Sequence, residues 1–258
     1  MTFHLITCCT ENKGYFSALQ ESAKRNGFDL KVLGWGKKWT GFTFKITHIK
    51  EYIKTLPDSD IVLFVDAYDV LIIKPKHVIK QRFLNTGAKI LIGKDGERLN
   101  IFHDMLYRKI FKSCKSKFIN AGVYIGFVKE LKEMFDNICN KTGCNETDDD
   151  QKLLIDFCNS NEKNPYFVID GTKSIIYNTF KCVLDDVNLD TCILHAPGNA
   201  NLSNIIKKNG YSLEIRDVRP MHKYLLNNVK NYYKFFIKEI LLLFAIFLVV
   251  FLYQKVKY

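Results

Sequence analysis

The sequence predicts an α/β fold: a mostly parallel sheet flanked by helices, followed by a C-terminal transmembrane helix. Three observations predict it. Short apolar runs alternate with segments of helical spacing, the order expected when strands are joined by helical crossovers. One run, Ile61 to Val65, is wholly apolar and is closed by Asp66 and Asp69, as in a strand buried on both faces whose end meets solvent. Residues 240–253 are uncharged and almost entirely apolar on every side.

The elements follow in order. Residues 4–9 read as a first strand, too short and too polar for a secretory signal. Residues 14–26 place Phe16, Leu19 and Ala23 on one helical face. Residues 30–33 form a second strand, followed by a loop through Gly34, Trp35 and Gly36. Residues 44–55 read as a helix that stops before Leu56 and Pro57. After the acid-tipped strand, residues 77–84 are helical and 89–93 extended. Asn120, Ala121 and Gly122 read as a small-residue turn leading into a strand that ends at Phe127. Residues 130–139 and 148–158 are helical, and 167–169 and 192–195 are short strands. The α/β domain is therefore expected over residues 1–213, a charged connector over 214–234 and a membrane anchor over 235–258.

The anchor rests on length and flanks. At 1.5 Å per residue, residues 240–253 span about 21 Å, and a start at Phe235 gives about 28 Å, close to a hydrocarbon core of ~30 Å. Lys230, Lys234, Lys238, Lys255 and Lys257 flank the run, and Tyr232, Tyr233, Tyr253 and Tyr258 take interfacial places. The simplest topology is a single-pass C-terminal anchor with the catalytic domain in the cytosol.

Charge and cysteine use narrow the classes. Net charge is +11, but only 6 of the 38 basic residues are arginine, and lysines gather beside the tail. That pattern fits headgroup attraction and gives no nucleic-acid partner. The eight cysteines lack zinc-ribbon spacing and read mostly as buried thiols. Asn-x-Ser/Thr sequons stand at Asn140, Asn145 and Asn201.

Four groups can carry chemistry. Asp66 and Asp69 stand at a strand end, where open α/β sheets bind ligands, and two carboxylates there can share a divalent cation. A solvated turn explains such acids as well. Asp148, Asp149 and Asp150 open a helix, where acids favour the dipole, yet three in a row repel one another. His195 follows a strand and precedes Pro197, Gly198 and Asn199, a loop whose amides can approach phosphate. Asn120 to Gly122 allow close approach of a ligand.

Taken together, these motifs resemble the glycosyltransferase domain of the procollagen lysyl hydroxylases and their collagen-glucosyltransferase relatives. The resemblance runs through Leu5 to Tyr15, Leu33 to Trp39, Lys45, Phe64 to Val70, Asn120 to Gly122 with Ile125 and Gly126, Asp148 to Gln151, and His195 with its Gly198–Asn199 loop. It covers about residues 2–213 and implies a GT-A, Rossmann-like fold that binds a UDP-sugar with Mn²⁺. By position it implies Asp66, Asp69 and His195 as metal ligands. Thr7, Cys8, Cys9, Lys45, Ala67 and Tyr68 would meet the nucleotide along with Asp66, and Gly198 the diphosphate. Asn120, Asp149 and Asp150 would face the sugar or acceptor, with Asp149 or Asp150 as base if transfer inverts. It further implies UDP-glucose or UDP-galactose as donor, and as acceptor a protein or glycan hydroxyl, for example hydroxylysine or galactosyl-hydroxylysine of a collagen-like protein. Asn201 stands where the family carries a lysine, and Gly93 to Arg98 replace a loop containing tryptophan and proline. The resemblance includes no hydroxylase domain, so lysine hydroxylation is not expected. The alternative is a catalytically inactive, membrane-tethered scaffold relative.

Overall fold

A computed structural model describes residues 1–96, 101–145, 148–179, 190–198 and 201–211, with positions 237, 241 and 244 standing singly beyond them; at 101–103, 106 and 142 it describes the backbone alone. The chain divides into two units, Met1–Val218 and Arg219–Tyr258, and every element named below belongs to the first.

The strands and helices are β1 (Phe3–Cys8), α1 (Phe16–Arg25), β2 (Leu30–Leu33), α2 (Thr43–Lys54), β3 (Ile61–Asp66), β4 (Val70–Ile72), α3 (Lys76–Asn85), β5 (Ile90–Lys94), α4 (Ile101–Ile110), β6 (Ile119–Phe127), α5 (Val128–Thr142), α6 (Asp150–Ser160), β7 (Phe167–Asp170), β8 (Ile176–Asn178), β9 (Ile193–His195) and α7 (Ser203–Lys208). The main sheet has the order β2-β1-β3-β6-β5-β7. Its strands share one direction except β6, which runs antiparallel to both β3 and β5. The mostly parallel sheet is therefore present, with its reversal at the centre. A second sheet, β4-β9-β8, pairs Val70 with His195 across antiparallel strands and Asn178 with His195 across parallel ones.

Helices cover both faces of the main sheet. On one, α2, α5 and α6 bury Ile49, Ile53, Leu131, Phe135, Leu154 and Ile155 against Phe64, Ile92 and Tyr124. On the other, α1 and α3 bury Phe16, Leu19, Ile79 and Phe83 with Leu63, Val65, Val123 and Ile193. Each such side chain contributes roughly 1.5–3 kcal/mol of transfer free energy when fully buried. Because β3 is covered on both faces, it reads as a continuous apolar run.

Three expectations change. Asn120 to Gly122 lie inside β6, not in a turn before it. Among the described residues, Cys114 is paired with Cys158 and Cys139 with Cys144, while Cys8, Cys9 and Cys192 are free and buried. Elements β4, α4, β8 and α7 join those read from the sequence. The apolar run at 240–253 lies outside the described residues save for positions 241 and 244; among the described residues no helix is long and apolar enough to cross a membrane.

Candidate metal and nucleotide-sugar site

The site forms where β1 and β3 end, β6 begins and β9 ends. Asp66 is the last residue of β3, Asp69 precedes β4, and His195 closes β9. The Ala196 amide donates to the Asp69 carbonyl at 2.8 Å, so the ladder between β4 and β9 continues to Asp69 and His195. One ligand atom from each of Asp66, Asp69 and His195 falls within 4.8 Å of the others. His195 Nε2 stands 3.4 Å from Asp69 Oδ1 and 4.0 Å from Asp66 Oδ2.

The chemistry of this cradle fits a divalent cation. Asp69 Oδ1 and His195 Nε2 are buried and make no hydrogen bond; the 3.4 Å approach lacks the geometry for one. Leaving two buried polar atoms unsatisfied costs about 1–3 kcal/mol each, so such pairs call for a missing partner. A carboxylate pair with one imidazole is a donor set that Mn²⁺ accepts. Gly122 of β6 backs the cradle: a Cβ there would sit 2.3 Å from His195 Cε1 and 2.7 Å from Asp66 Oδ2. His195 is only 1% exposed. Burial alone would lower its pKa, but Asp69, Asp66 and Asp95 outweigh burial and hold it above the ordinary histidine value.

Lys45 of α2 connects the cradle to the acidic helix. Its ammonium donates to Asp66 Oδ1 at 2.9 Å and pairs with Asp150 Oδ2 at 2.6 Å. Burial would lower its pKa, yet Asp150 and Asp66 together raise it, so the ammonium stays charged. Burial lifts the Asp150 carboxyl above the usual range, and Lys45 pulls it back in part. Asp149 has a different task. It is the N-cap of α6, its carboxylate accepting from the amides of Gln151 and Lys152 at 3.0 and 3.1 Å. Burial raises its pKa as well.

The other sequence-derived residues lie around this centre with their side chains committed. Thr7 donates to the Val65 carbonyl at 2.7 Å within the sheet. Cys8 pairs in register with Asp66, and burial pushes the Cys8 and Cys9 thiols up to about 12. Ala67 is buried. The Tyr68 hydroxyl donates to the Glu11 carbonyl and accepts from the Thr10 amide, and its backbone carbonyl takes the Tyr15 amide. Gly14, at φ 55°, leaves no room for a side chain against that carbonyl. Asn120 accepts from the Gly122 amide at 2.8 Å and donates to Asp95 at 3.4 Å. Gly198 turns the chain at φ 73°, and the loop beyond it at 199–200 lies outside the described residues.

The structure thus brings together Asp66, Asp69, His195, Lys45 and Asp150. Sequence reasoning missed Gly122 as a wall of the cradle, though its Asn-Ala-Gly motif was the available signal. It also missed Asn178 and Asp95, for which no local pattern stands out. Trp35, Trp39 and Phe42 are exposed in the loop between β2 and α2; Trp39 lies 5.2 Å from the ring of Phe44 on α2, the helix that carries Lys45.

A carboxylate–imidazole cradle at the ends of parallel strands, joined through a lysine to a second acidic group, defines a candidate centre for cation-assisted group transfer. The chain belongs to the PLOD GT domain family, whose model matches residues 1–239. It is similar to a procollagen-lysine,2-oxoglutarate 5-dioxygenase of Drosophila melanogaster, 27% identical over 143 residues, 49% of this chain and 19% of the relative. It is likewise similar to a multifunctional procollagen lysine hydroxylase and glycosyltransferase of Caenorhabditis elegans, 26% identical over 161 residues, 57% of this chain and 21% of the relative. The chain therefore spans about a fifth of the length of these relatives. Among solved structures, the galactosyltransferase LgtC in complex with donor and acceptor sugar analogs aligns with a TM-score of 0.44 at 13% identity, over 77% of this chain and 88% of that one. That likeness is too loose to bear on activity.

Proposed function

We propose that the protein is a divalent-cation-dependent glycosyltransferase of GT-A type that moves a hexose, glucose or galactose, from its UDP-sugar to an acceptor hydroxyl. The observation that carries this reading is the unpartnered pair, Asp69 Oδ1 and His195 Nε2, buried beside Asp66 in a chain of the PLOD GT domain family. Asp66, Asp69 and His195 would hold the cation, with Mn²⁺ as the preferred ion. Bound there, it would offset the negative charge that grows on UDP as the sugar leaves.

The protein's own groups supply the rest. Lys45 bridges Asp66 and Asp150, its ammonium offsetting the repulsion between the two carboxylates. Asp150 would accept the acceptor's proton if the reaction inverts, and Asp149, engaged as a cap, orients the helix that carries it. Thr7, Cys8 and Cys9 would meet the nucleotide through backbone at the end of β1, since their side chains are buried. Asn120 and Gly198 border the sugar and diphosphate in this reading. The C. elegans relative's name points to lysine of procollagen, and we propose hydroxylysine or galactosyl-hydroxylysine of a collagen-like protein as the acceptor. Two disulfides persist best in an oxidising setting. We therefore propose such a setting in place of the cytosolic one expected from the sequence, with the apolar run at the C-terminus as membrane anchor.

The test is a panel of UDP-sugars with Mn²⁺, reading UDP release and the thermal midpoint. Release with UDP-glucose or UDP-galactose, lost on chelation, is expected. No release and no midpoint shift with any donor would overturn the reading in favour of an inactive binding relative.

A further inference from the structure

Asn178 lies beside the cradle, at the Nδ1 edge of His195. It is the last residue of β8, buried to 1% exposure, and β8 pairs with β9 so that Asn178 and His195 are in register. Its Oδ1 lies 2.7 Å from His195 Nδ1. Its Nδ2 donates to the Lys94 carbonyl at 2.7 Å. That second bond fixes the amide orientation, because only the NH₂ end can face a carbonyl oxygen. The Oδ1 end therefore faces the ring, and it can only accept. Nδ1 must carry a proton, so in the neutral ring the lone pair is the one on Nε2, the nitrogen that faces Asp66 and Asp69.

The surrounding backbone is shaped around this amide. A Cβ on Gly93 would fall 2.5 Å from Asn178 Nδ2, and one on Gly96 would fall 2.6 Å from the Asn178 carbonyl oxygen. The Thr179 amide donates to the His195 carbonyl at 2.9 Å, which closes the contact between the two strand ends. Neither end of the amide is free to exchange its role.

Resting on the cation reading above, we infer that Asn178 is a positioning residue that fixes the His195 tautomer and makes Nε2 a metal donor. A histidine that ligates a metal through one nitrogen is oriented by the hydrogen bond of the other, and loss of such a partner typically lowers metal affinity about 10–100-fold.

The test uses the full chain and Mn²⁺ binding measured by calorimetry. Asn178→Leu removes the acceptor and should weaken Mn²⁺ about 10–100-fold. Asn178→Asp keeps an acceptor for Nδ1 while giving up the Lys94 contact, and should bind within about threefold of wild type, well above the Leu variant. Unchanged Mn²⁺ affinity in Asn178→Leu overturns the inference, as do equal losses in the Leu and Asp variants. Should the Leu variant fail to fold, the wild-type ring decides. In a ¹⁵N-histidine spectrum of the Mg²⁺-loaded protein, assigned by the signal missing in His195→Gln, the proton should sit on Nδ1; a proton on Nε2 overturns the inference. A wild-type chain that binds neither ion would instead remove the cation reading itself.

Discussion

Lys45 and Asp150 close to 2.6 Å, although one stands in the first turn of α2 and the other in the first turn of α6. Both side chains are about nine-tenths buried. Removing one partner of such a pair leaves an uncompensated charge and costs about 3–5 kcal/mol. Lys45→Met should therefore lower stability by about 3 kcal/mol, read from urea unfolding. Adding Asp150→Leu should restore part of the loss; a double variant less stable than the single one would count against the pair.

Asp69→Asn keeps the shape of the cradle and removes one charge. The variant should fold with near-normal stability, show no Mn²⁺-dependent rise in thermal midpoint, and release no UDP in the donor assay. Full Mn²⁺ response would refute the place given to Asp69.

Gly122→Ala should act on the same cradle from behind. Its Cβ would meet His195 at 2.3 Å inside packed structure, and overpacking of this kind costs about 1–3 kcal/mol. The ring must move, so Mn²⁺ affinity should fall about tenfold or more, by analogy with other displaced ligands. Calorimetry checks the affinity and urea unfolding the stability.

Asp60 offers a pH test away from the site. It accepts from the Thr2 amide at 2.6 Å and lies 3.0 Å from His4 Nε2. Burial would raise its pKa, but the bonds from His4 and Thr2 hold it below the ordinary carboxylate value. A depressed folded pKa gives stability that is complete above the unfolded value of about 3.9 and is lost as pH falls through the folded one. The stability gap between wild type and Asp60→Asn should close as pH falls below about 4, as seen in thermal midpoints across pH.

The bridge between Cys114 and Cys158 spans 44 residues and ties α6 to the turn before β6. Cys114→Ser with Cys158→Ser should cost about 2–4 kcal/mol. A dithiol reductant should lower the wild-type midpoint and leave the variant less affected.

Much of this protein was legible because buried parallel strands are continuous apolar runs, and Asp66, Asp69 and His195 stand where such runs stop. What could not be read has physical reasons. The reversal of β6 leaves no trace in Ile119–Phe127, since alternation of side chains is the same in either direction. Asp148, Asp149 and Asp150 form one acidic block in sequence; only backbone geometry assigns Asp149 to the cap and Asp150 to Lys45. The cysteine pairs depend on distances that spacing does not encode. Asn178 gains its meaning from Lys94 and His195, residues far away along the chain.

The ladder from Val70 to His195, continued by the Ala196 amide on Asp69, has a thermodynamic consequence. Two of the three cradle residues are fixed by strand register, and a slip of one residue would turn His195 to the opposite face. Their rotational freedom is surrendered once, when the chain folds, rather than each time a ligand arrives. A visiting cation would find the donors already in position, so the entropy of assembling them does not recur with every binding event.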